Sequence, residues 1–323
     1  MKRLNWGIIG PGSIAEDFGK AIHDVNGHVF GVWGRNYEKT KAFAEHIGVE
    51  HVYKSMDSML SDKQIDIVYI ATPHHLHYDI MLAALNKNKH VLCEKAITMN
   101  TEQLKVIMKL ARSKNLIVME AMTIYHMPIY QELQDRVVAG DIGNVNMINV
   151  TFGSCKEDDP TNRFFNPDLA GGGLLDLGTY ALTFMRYFLS SHPTELLTTV
   201  KKHDTGVDEQ SAIVMKNEQG QLAVVTLALR ADLPIRAIIA GDKGYITVDN
   251  FPRADLATVT YSSDGAIETI KAGESERALH YEVEAMEDLV VHKKESWTLA
   301  LSENVMELMD EARKQWDLTY DFE

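Results

Sequence analysis

Positive charge is what this chain is short of. Lysine and arginine together number 32 against 46 aspartates and glutamates, leaving a formal net charge of −14 at pH 7 over 323 residues. So acidic a chain repels nucleic acid and anionic lipid headgroups, and neither is expected as a partner. Cysteine is nearly absent: Cys93 and Cys155 are the two present, too few for a disulfide framework and suited to a reducing cytoplasm. No apolar run reaches the length that crosses a membrane, and no segment is low in complexity or repeats at a fixed period. Met1-Lys2-Arg3 leads straight into an apolar strand with no leader-length apolar stretch, so export is not expected and a cytoplasmic location is. His74, His75 and His77 stand close together, but they match no dependable zinc spacing and no carboxylate is placed with them, so no metal is expected. What remains is ordinary for a soluble globular protein, 45% apolar and 24% charged, and long enough for two domains with real cores.

The stretch that organises the chain is Leu4 to Arg35. Leu4 to Ile9 is a short apolar run, read as a buried strand. Gly10-Pro11-Gly12-Ser13-Ile14-Ala15 follows at once, and Ile14, Ala15, Phe18, Ala21 and Ile22 then recur at helical spacing. A second apolar run, Val29 to Trp33, ends at Gly34-Arg35-Asn36. Strand, glycine turn, helix and strand in this order form a dinucleotide-binding unit. Gly10 permits the tight turn, Gly12 lets a pyrophosphate approach the backbone at the helix N-terminus beside Ser13 and Ile14, and Ala15 lets helix and strand pack closely. Sites that prefer NAD place an acid after the second strand. Here Arg35 stands there and no acid follows until Glu38. A guanidinium hydrogen-bonds a 2′-phosphate that a carboxylate would repel, so NADP(H) is the expected cofactor, with Asn36 and Lys39 as helpers and NAD(H) admissible.

Further along, Tyr37 to Ile47 reads as a helix with Ala42, Phe43 and Ile47 on one side and Gly48 as its C-cap. Ile65 to Ala71 is a strand stopped by Thr72-Pro73, His77 to Leu85 a helix, and His90 to Cys93 a strand that stops at Glu94-Lys95. Asn100 with Gln103 forms a capping box for a long helix, and Leu116 to Glu120 is another strand. Alternation with short connections predicts a doubly wound parallel sheet with ligands beyond the carboxyl ends of its strands. Those ends carry Gly10 to Ser13, Gly34 to Asn36, Thr72-Pro73 with His74 and His77, Glu94-Lys95, and Glu120-Ala121. Past residue 122 the pattern changes. After a helix at Pro128 to Ala139 come β-rich runs at 145–152, 211–215, 222–229, 235–239, 245–248 and 256–261, predicting a mostly antiparallel sheet in a second domain. The expected domains are 1–122, binding the dinucleotide, and 123–323, an α/β domain for substrate and oligomer contacts.

Lys95, ending an apolar strand in the loop that should face the nicotinamide, is the main candidate for proton exchange, because a cationic ring and partial desolvation lower a lysine's pKa. Position alone leaves open an ordinary exposed Glu94–Lys95 ion pair. Asp176 and Tyr180, four apart after Gly171-Gly172-Gly173, are expected on one helix face, the acid to bind a substrate hydroxyl and the phenol to share its proton. An acidic helix start with a core tyrosine is the blander alternative, against which the glycine run weighs. With Lys95 ending a strand of the first domain and Tyr180 beginning a helix of the second, the substrate is expected between the domains. Cys93 reads as a small buried hydrophobe.

Gly10-Pro11-Gly12, Thr72-Pro73 with His77, Glu94-Lys95, Gly171 to Gly178 and Gly241-Asp242-Lys243-Gly244, in this order across essentially the whole chain, resemble the glucose–fructose oxidoreductase/inositol dehydrogenase (Gfo/Idh/MocA) family. The resemblance implies a Rossmann domain followed by an α/β domain with a large open sheet, a tightly held nicotinamide cofactor, and oligomers, dimers or tetramers, built through the sheet face. It also implies hydride transfer at a secondary alcohol of a sugar, cyclitol or related diol. The family lysine falls on Lys95 and the helix acid on Asp176. Arg163, Asn166-Pro167, Tyr180 and Glu120-Ala121-Met122 resemble the NADP-linked dimeric dihydrodiol dehydrogenase branch, some of whose members oxidise D-xylose. Ala96 replaces that family's proline, His74 its common asparagine, and Thr123 to His126 depart from the branch. Two alternatives to the dehydrogenase stay open: a glycosidase of the same family that retains its cofactor, and a non-catalytic NADPH-binding redox sensor, against which the presence of both Lys95 and Tyr180 weighs.

Overall fold

The computed structural model describes residues 3–323, so the expected lead of Met1 and Lys2 into the first strand lies outside the described residues. Two compact units form, one from Met1–Met122 with Arg277–Ala300, the other from Thr123–Glu276 with Leu301–Glu323. The first runs β1 (Asn5–Ile9), α1 (Ser13–Asp24), β2 (His28–Trp33), α2 (Tyr37–Ile47), β3 (His51–Val52), α3 (Met56–Ser61), β4 (Ile67–Ile70), α4 (His77–Asn86), β5 (His90–Glu94), α5 (Thr101–Lys114) and β6 (Val118–Ala121). Its sheet has six strands in the order β3-β2-β1-β4-β5-β6, and every neighbouring pair is parallel. The order reverses between β1 and β4, and the loops leaving those two strands flank the crevice where such sheets take a dinucleotide.

Local chemistry sets the helix ends. Asn36 Oδ1 accepts the Lys39 N–H at 3.0 Å to begin α2, and Gly48 ends it at φ 73°. The buried side of α2 is Thr40, Ala44 and Ile47, with Phe43 partly covered; Ala42, expected on that side, faces solvent. Asn100 Oδ1 accepts the Gln103 N–H at 3.0 Å, and Gln103 Oε1 accepts the Met99 N–H at 3.1 Å, one residue earlier than the usual reciprocal bond of a capping box. Cys93 is fully buried in β5, as a small hydrophobe would be.

The second unit holds α6 (Pro128–Ala139), β7 (Val145–Gly153), α7 (Thr179–Phe188), β8 (Pro193–Lys202), β9 (Asp208–Asn217), β10 (Leu222–Ala228), β11 (Leu233–Gly241), β12 (Gly244–Asp249), β13 (Leu256–Tyr261) and β14 (Ile267–Lys271). These eight strands make one open sheet in the order β14-β13-β12-β11-β7-β10-β9-β8. Its pairs are antiparallel except β7 with β10, which run parallel. The edge strands β8 and β14 are absent from the sequence expectation, and the reason is physical: both are largely exposed, so they need no apolar run. Ala181, Leu182, Phe184, Met185 and Phe188 of α7 are buried, and this helix packs on β7 and β10.

The opposite face of the sheet is unusually apolar for a surface. Leu197, Val214, Leu222, Tyr245, Leu256 and Ile267 are exposed. Across the strands Leu197 pairs with Val214, Val214 with Val224, Val224 with Asn149 and Asn149 with Ile238.

Two helices close the chain, α8 (Ala278–His292) and α9 (Thr298–Gln315). The expected second domain, 123–323, loses α8 to the first unit. Leu279, Val283 and Met286 of α8 fill the core that holds Trp6, Phe18 and Ile22, and the Trp6 indole N–H donates to Glu287 Oε1 at 2.8 Å. An amphipathic period reports that a helix will be half buried without reporting which core it joins.

Candidate cofactor and active site

At the end of β1, Gly10 has φ +96°, and a Cβ there would lie 2.6 Å from the Ala71 carbonyl oxygen after β4. Its N–H donates to the Trp33 carbonyl at 3.0 Å, and the Gly12 N–H returns to the Gly10 carbonyl at 3.0 Å. Gly12 is glycine for another reason. Its backbone, φ −109° and ψ −178°, is open to any residue, and a Cβ there would meet nothing within 4 Å. The missing side chain leaves an open cradle at the start of α1, which no side chain caps. The first amides of a helix have no partner within it, so the amides beginning at Ser13 and Ile14 suit a pyrophosphate. Ala15 is fully buried where α1 meets the sheet.

Arg35, Asn36 and Lys39 are exposed beyond β2, with the Asn36 oxygen committed to the α2 cap. Burial first, and the Arg35 charge second, hold the His75 imidazole below its ordinary pKa. The guanidinium thus acts electrostatically on the loop after β4, where Thr72 and His74 are partly buried and Pro73 is exposed.

His77, expected among the cofactor contacts, is placed differently. It is fully buried. Its Nδ1 lies 3.0 Å from the Ala96 carbonyl oxygen and its Nε2 2.8 Å from that of Thr72. Both ring nitrogens face backbone, so neither is turned to a ligand. Burial holds the imidazole below its ordinary pKa, and a neutral ring donates to one of the two carbonyls. His77 ties the loop after β4 to the loop after β5.

That second loop carries Glu94 and Lys95, both partly buried. The Tyr69 hydroxyl donates to Glu94 Oε1 at 2.5 Å, and the Tyr69 ring stacks on Phe18 with centroids 3.9 Å apart. Burial, and then the Glu94 charge, push this phenol well above its usual pKa, so it acts as a donor only. Beyond the lysine the Lys95–Ala96 peptide bond is cis, and the buried Glu120 accepts the Ile97 N–H at 3.1 Å. Tyr69 escapes sequence reasoning because a tyrosine inside an apolar strand looks like core. Among the described residues no group of three or more His, Cys, Asp or Glu could hold a metal ion, and no helix is long and apolar enough to cross a membrane.

In the second unit Gly172 takes φ +126°, and a Cβ on it would lie 2.2 Å from Asp208 Oδ1. Leu174–Gly178 then forms a π-helical turn before α7 begins at Thr179. The element differs from the ordinary helix expected at Asp176 and Tyr180. Asp176 sits in the wide turn and Tyr180 in the first turn of α7, and the i, i+4 rule assumes 3.6 residues per turn throughout. Arg163 Nη1 lies 3.4 Å from Asp176 Oδ1, and its guanidinium stands 4.3 Å over the Phe164 ring. Tyr180, partly buried, has its ring centroid 6.4 Å from that of Phe152. Behind the turn, burial pushes the Asp208 carboxyl up to about 7, against the opposing N–H groups of Leu174 and Gly173 and the Arg313 charge.

Residues 4–122 match the oxidoreductase family with an NAD-binding Rossmann fold, and residues 130–247 match the GFO/IDH/MocA C-terminal domain. The chain belongs to the Gfo/Idh/MocA family. Trans-1,2-dihydrobenzene-1,2-diol dehydrogenase of Xenopus laevis is 31% identical over 98% of this chain and 98% of its own. The NADP(+) D-xylose 1-dehydrogenase of Hypocrea jecorina is 31% identical over 98% of this chain and 93% of its own. Among solved structures, levoglucosan dehydrogenase in complex with NADH and levoglucosan superposes with a TM-score of 0.89 at 21% identity, covering 98% of each chain, a likeness of fold.

The two glycines of the turn should respond oppositely to alanine. Gly12→Ala fills open space and is expected to leave the melting temperature within about 1 °C, under the shift of about 2–4 °C that a 1 kcal/mol loss brings to a domain of this size, while NADPH binding weakens at least tenfold. Gly10→Ala forces a positive φ and a backbone clash and should cost about 1–3 kcal/mol. Thermal melts and fluorescence titrations check both; a Gly12→Ala protein that binds NADPH normally would contradict the cradle.

Proposed function

We propose that this family member is an NADP-dependent oxidoreductase that moves a hydride between the nicotinamide and a secondary alcohol, or its carbonyl, on a sugar, cyclitol or trans-dihydrodiol. The observation that carries the reading is the open cradle at Gly12 with Arg35, and no acid, exposed at the end of β2. The substrate class is supported by relatives named for dihydrodiol, D-xylose and scyllo-inositol.

Gly10, Gly12, Ser13 and Ile14 would hold the pyrophosphate, and Arg35 the 2′-phosphate, with Asn36 and Lys39 beside it; NAD is the weaker ligand. Thr72, Pro73, His74 and Glu94 would line the cofactor farther along the crevice, with His77 fixing their loops from behind. When bound, the nicotinamide supplies or accepts the hydride. The proton on the substrate oxygen is left to the protein. Lys95 and Tyr180 hold and move it, because an ammonium near a phenol eases the phenol's loss of its proton, and a nearby cationic ring would ease the lysine's. Asp176 binds a neighbouring hydroxyl and orients the reacting carbon. A cytoplasmic location suits the two free cysteines. The apolar outer face of the eight-stranded sheet, with Leu197 and Ile267 at 73% and 69% exposure, supports a homodimer or homotetramer joined through that face.

A screen of polyols, sugars and dihydrodiols, followed through the absorbance of reduced nicotinamide, should give turnover with NADP in preference to NAD. In Arg35→Ala the affinity for NADPH should fall by about 10- to 150-fold, the loss of a charge-assisted bond of about 1.5–3 kcal/mol, with NADH affinity little changed. An equal loss for both cofactors would remove Arg35 from the phosphate. Sedimentation at micromolar concentration should show a dimer or tetramer that Leu197→Lys weakens; a monomer at that concentration contradicts the sheet-face assembly.

A further inference from the structure

Behind the turn that carries Asp176 and leads into Tyr180 lies a buried polar cluster that the proposed chemistry does not use. Asp208, at the start of β9, is 2% exposed. Its Oδ2 accepts the Leu174 N–H at 2.6 Å, and its Oδ1 occupies the space that a side chain on Gly172 would need. From the C-terminal segment, the buried Tyr320 hydroxyl donates to the Gly171 carbonyl at 2.6 Å. A Cβ on Gly172 would also come within 3.4 Å of that hydroxyl. The chain is therefore gripped on both sides of Gly172, by the Asp208 carboxyl on the Leu174 amide two residues on and by a phenol on the preceding carbonyl.

The grip is itself held. Arg313 of α9 donates to both carboxylate oxygens of Glu323, at 2.8 and 2.9 Å, and to Asp310 at 3.2 Å. Its guanidinium stands 5.6 Å from the Tyr320 ring centroid, and Phe322 stacks on Tyr320 with centroids 5.6 Å apart. A carboxylate buried only to stabilise the fold is a poor choice, since desolvation opposes it. Its position, one hydrogen bond ahead of a π-helical turn, offers another use. The wide turn closes on itself through bonds such as that from the Thr179 N–H to the Leu174 carbonyl, so where it sits depends on what holds Leu174, its first residue.

We propose that Asp208 is a positioning residue, acting with Tyr320 to hold the glycine run so that Asp176 and Tyr180 keep the orientation the reaction requires. The inference rests on the roles proposed above for those two residues. It predicts that loosening the grip costs catalysis more than it costs stability or cofactor affinity, because a misplacement of about 1 Å can cost on the order of 100-fold in rate.

Four variants, Asp208→Ala, Asp208→Asn, Tyr320→Phe and, for reference, Tyr180→Phe, separate the cases. The measurements are kcat and KM per folded molecule, NADPH titration, and hydrogen exchange at the Leu174 amide. Asp208→Ala should lower kcat about 10- to 100-fold, leave NADPH affinity unchanged and speed exchange at Leu174. Asp208→Asn, which retains an acceptor oxygen, should restore most of the rate. Tyr320→Phe, which loses only the hydroxyl, should lower kcat severalfold, and it serves if Asp208→Ala fails to fold. Wild-type kcat in the folded Asp208 and Tyr320 variants while Tyr180→Phe is slow would overturn the positioning role and leave the proposed reaction standing. A wild-type rate in Tyr180→Phe would overturn the proposed reaction roles and this inference with them.

Discussion

Gly10 and the Ala71 carbonyl touch without room for a single carbon between them, and the first unit's site depends on that contact. It joins the loops after β1 and β4 where the strand order reverses. From there a series of backbone contacts runs across the carboxyl edge of the sheet. His77 bridges the Thr72 and Ala96 carbonyls, and Glu120 takes the Ile97 amide. Lys95 lies inside this series. Its loop is fixed by groups that face the protein. Tyr69 does the same for Glu94 from within the core. Glu94 and Lys95 are thus positioned by buried partners while remaining partly exposed themselves, as the chemistry proposed for them requires.

The second unit solves the same problem with different parts. A glycine run and a π-helical turn place Asp176 and Tyr180, and a buried carboxylate, not a sheet edge, meets the backbone behind them. The glycine at 172 is obligatory twice over, for its positive φ and for the carboxylate oxygen against it. The large sheet contributes breadth. One face supports α7, and the other presents rows of Leu, Val, Thr and Ile that a second copy could cover.

Much of this was legible in the sequence because it follows from local rules. The strand, glycine turn, helix and strand at the start need only an apolar run and two glycines. α2 takes the bounds its periodicity predicts because Asn36 and Gly48 cap it chemically at both ends. What escaped depends on distant partners or on hydrogen-bond register. β8 and β14 carry too few apolar residues to announce themselves, since edge strands need few. α8 joins the first unit through Leu279, Val283 and Met286, a choice made by a core more than 150 residues away in sequence. His77 opens α4 directly after the loop that follows β4, yet its ring turns inward to two carbonyls, and only coordinates show that turn. Asp208 lies before the strand expected from residue 211 and carries no signal of its own, and its partners are distant in sequence, the Leu174 amide 34 residues earlier and the Arg313 charge more than 100 residues later. The spacing of Asp176 and Tyr180 was plain, but the wide turn between them was not, because spacing does not encode which carbonyl an amide chooses.

The central claim is that Lys95 and Tyr180 share the proton of one substrate hydroxyl. Single-turnover hydride transfer in Lys95→Ala, Tyr180→Phe and the double variant tests it most directly, with NADPH titrations and melts to establish that each is folded and loaded. General acid–base groups contribute about 10²- to 10⁴-fold. Each single variant should therefore be slowed by about that much, and the double variant should be little slower than the worse single, since groups that act as a unit are not additive. Rates that multiply independently, or a wild-type rate in either folded single variant, would contradict the account.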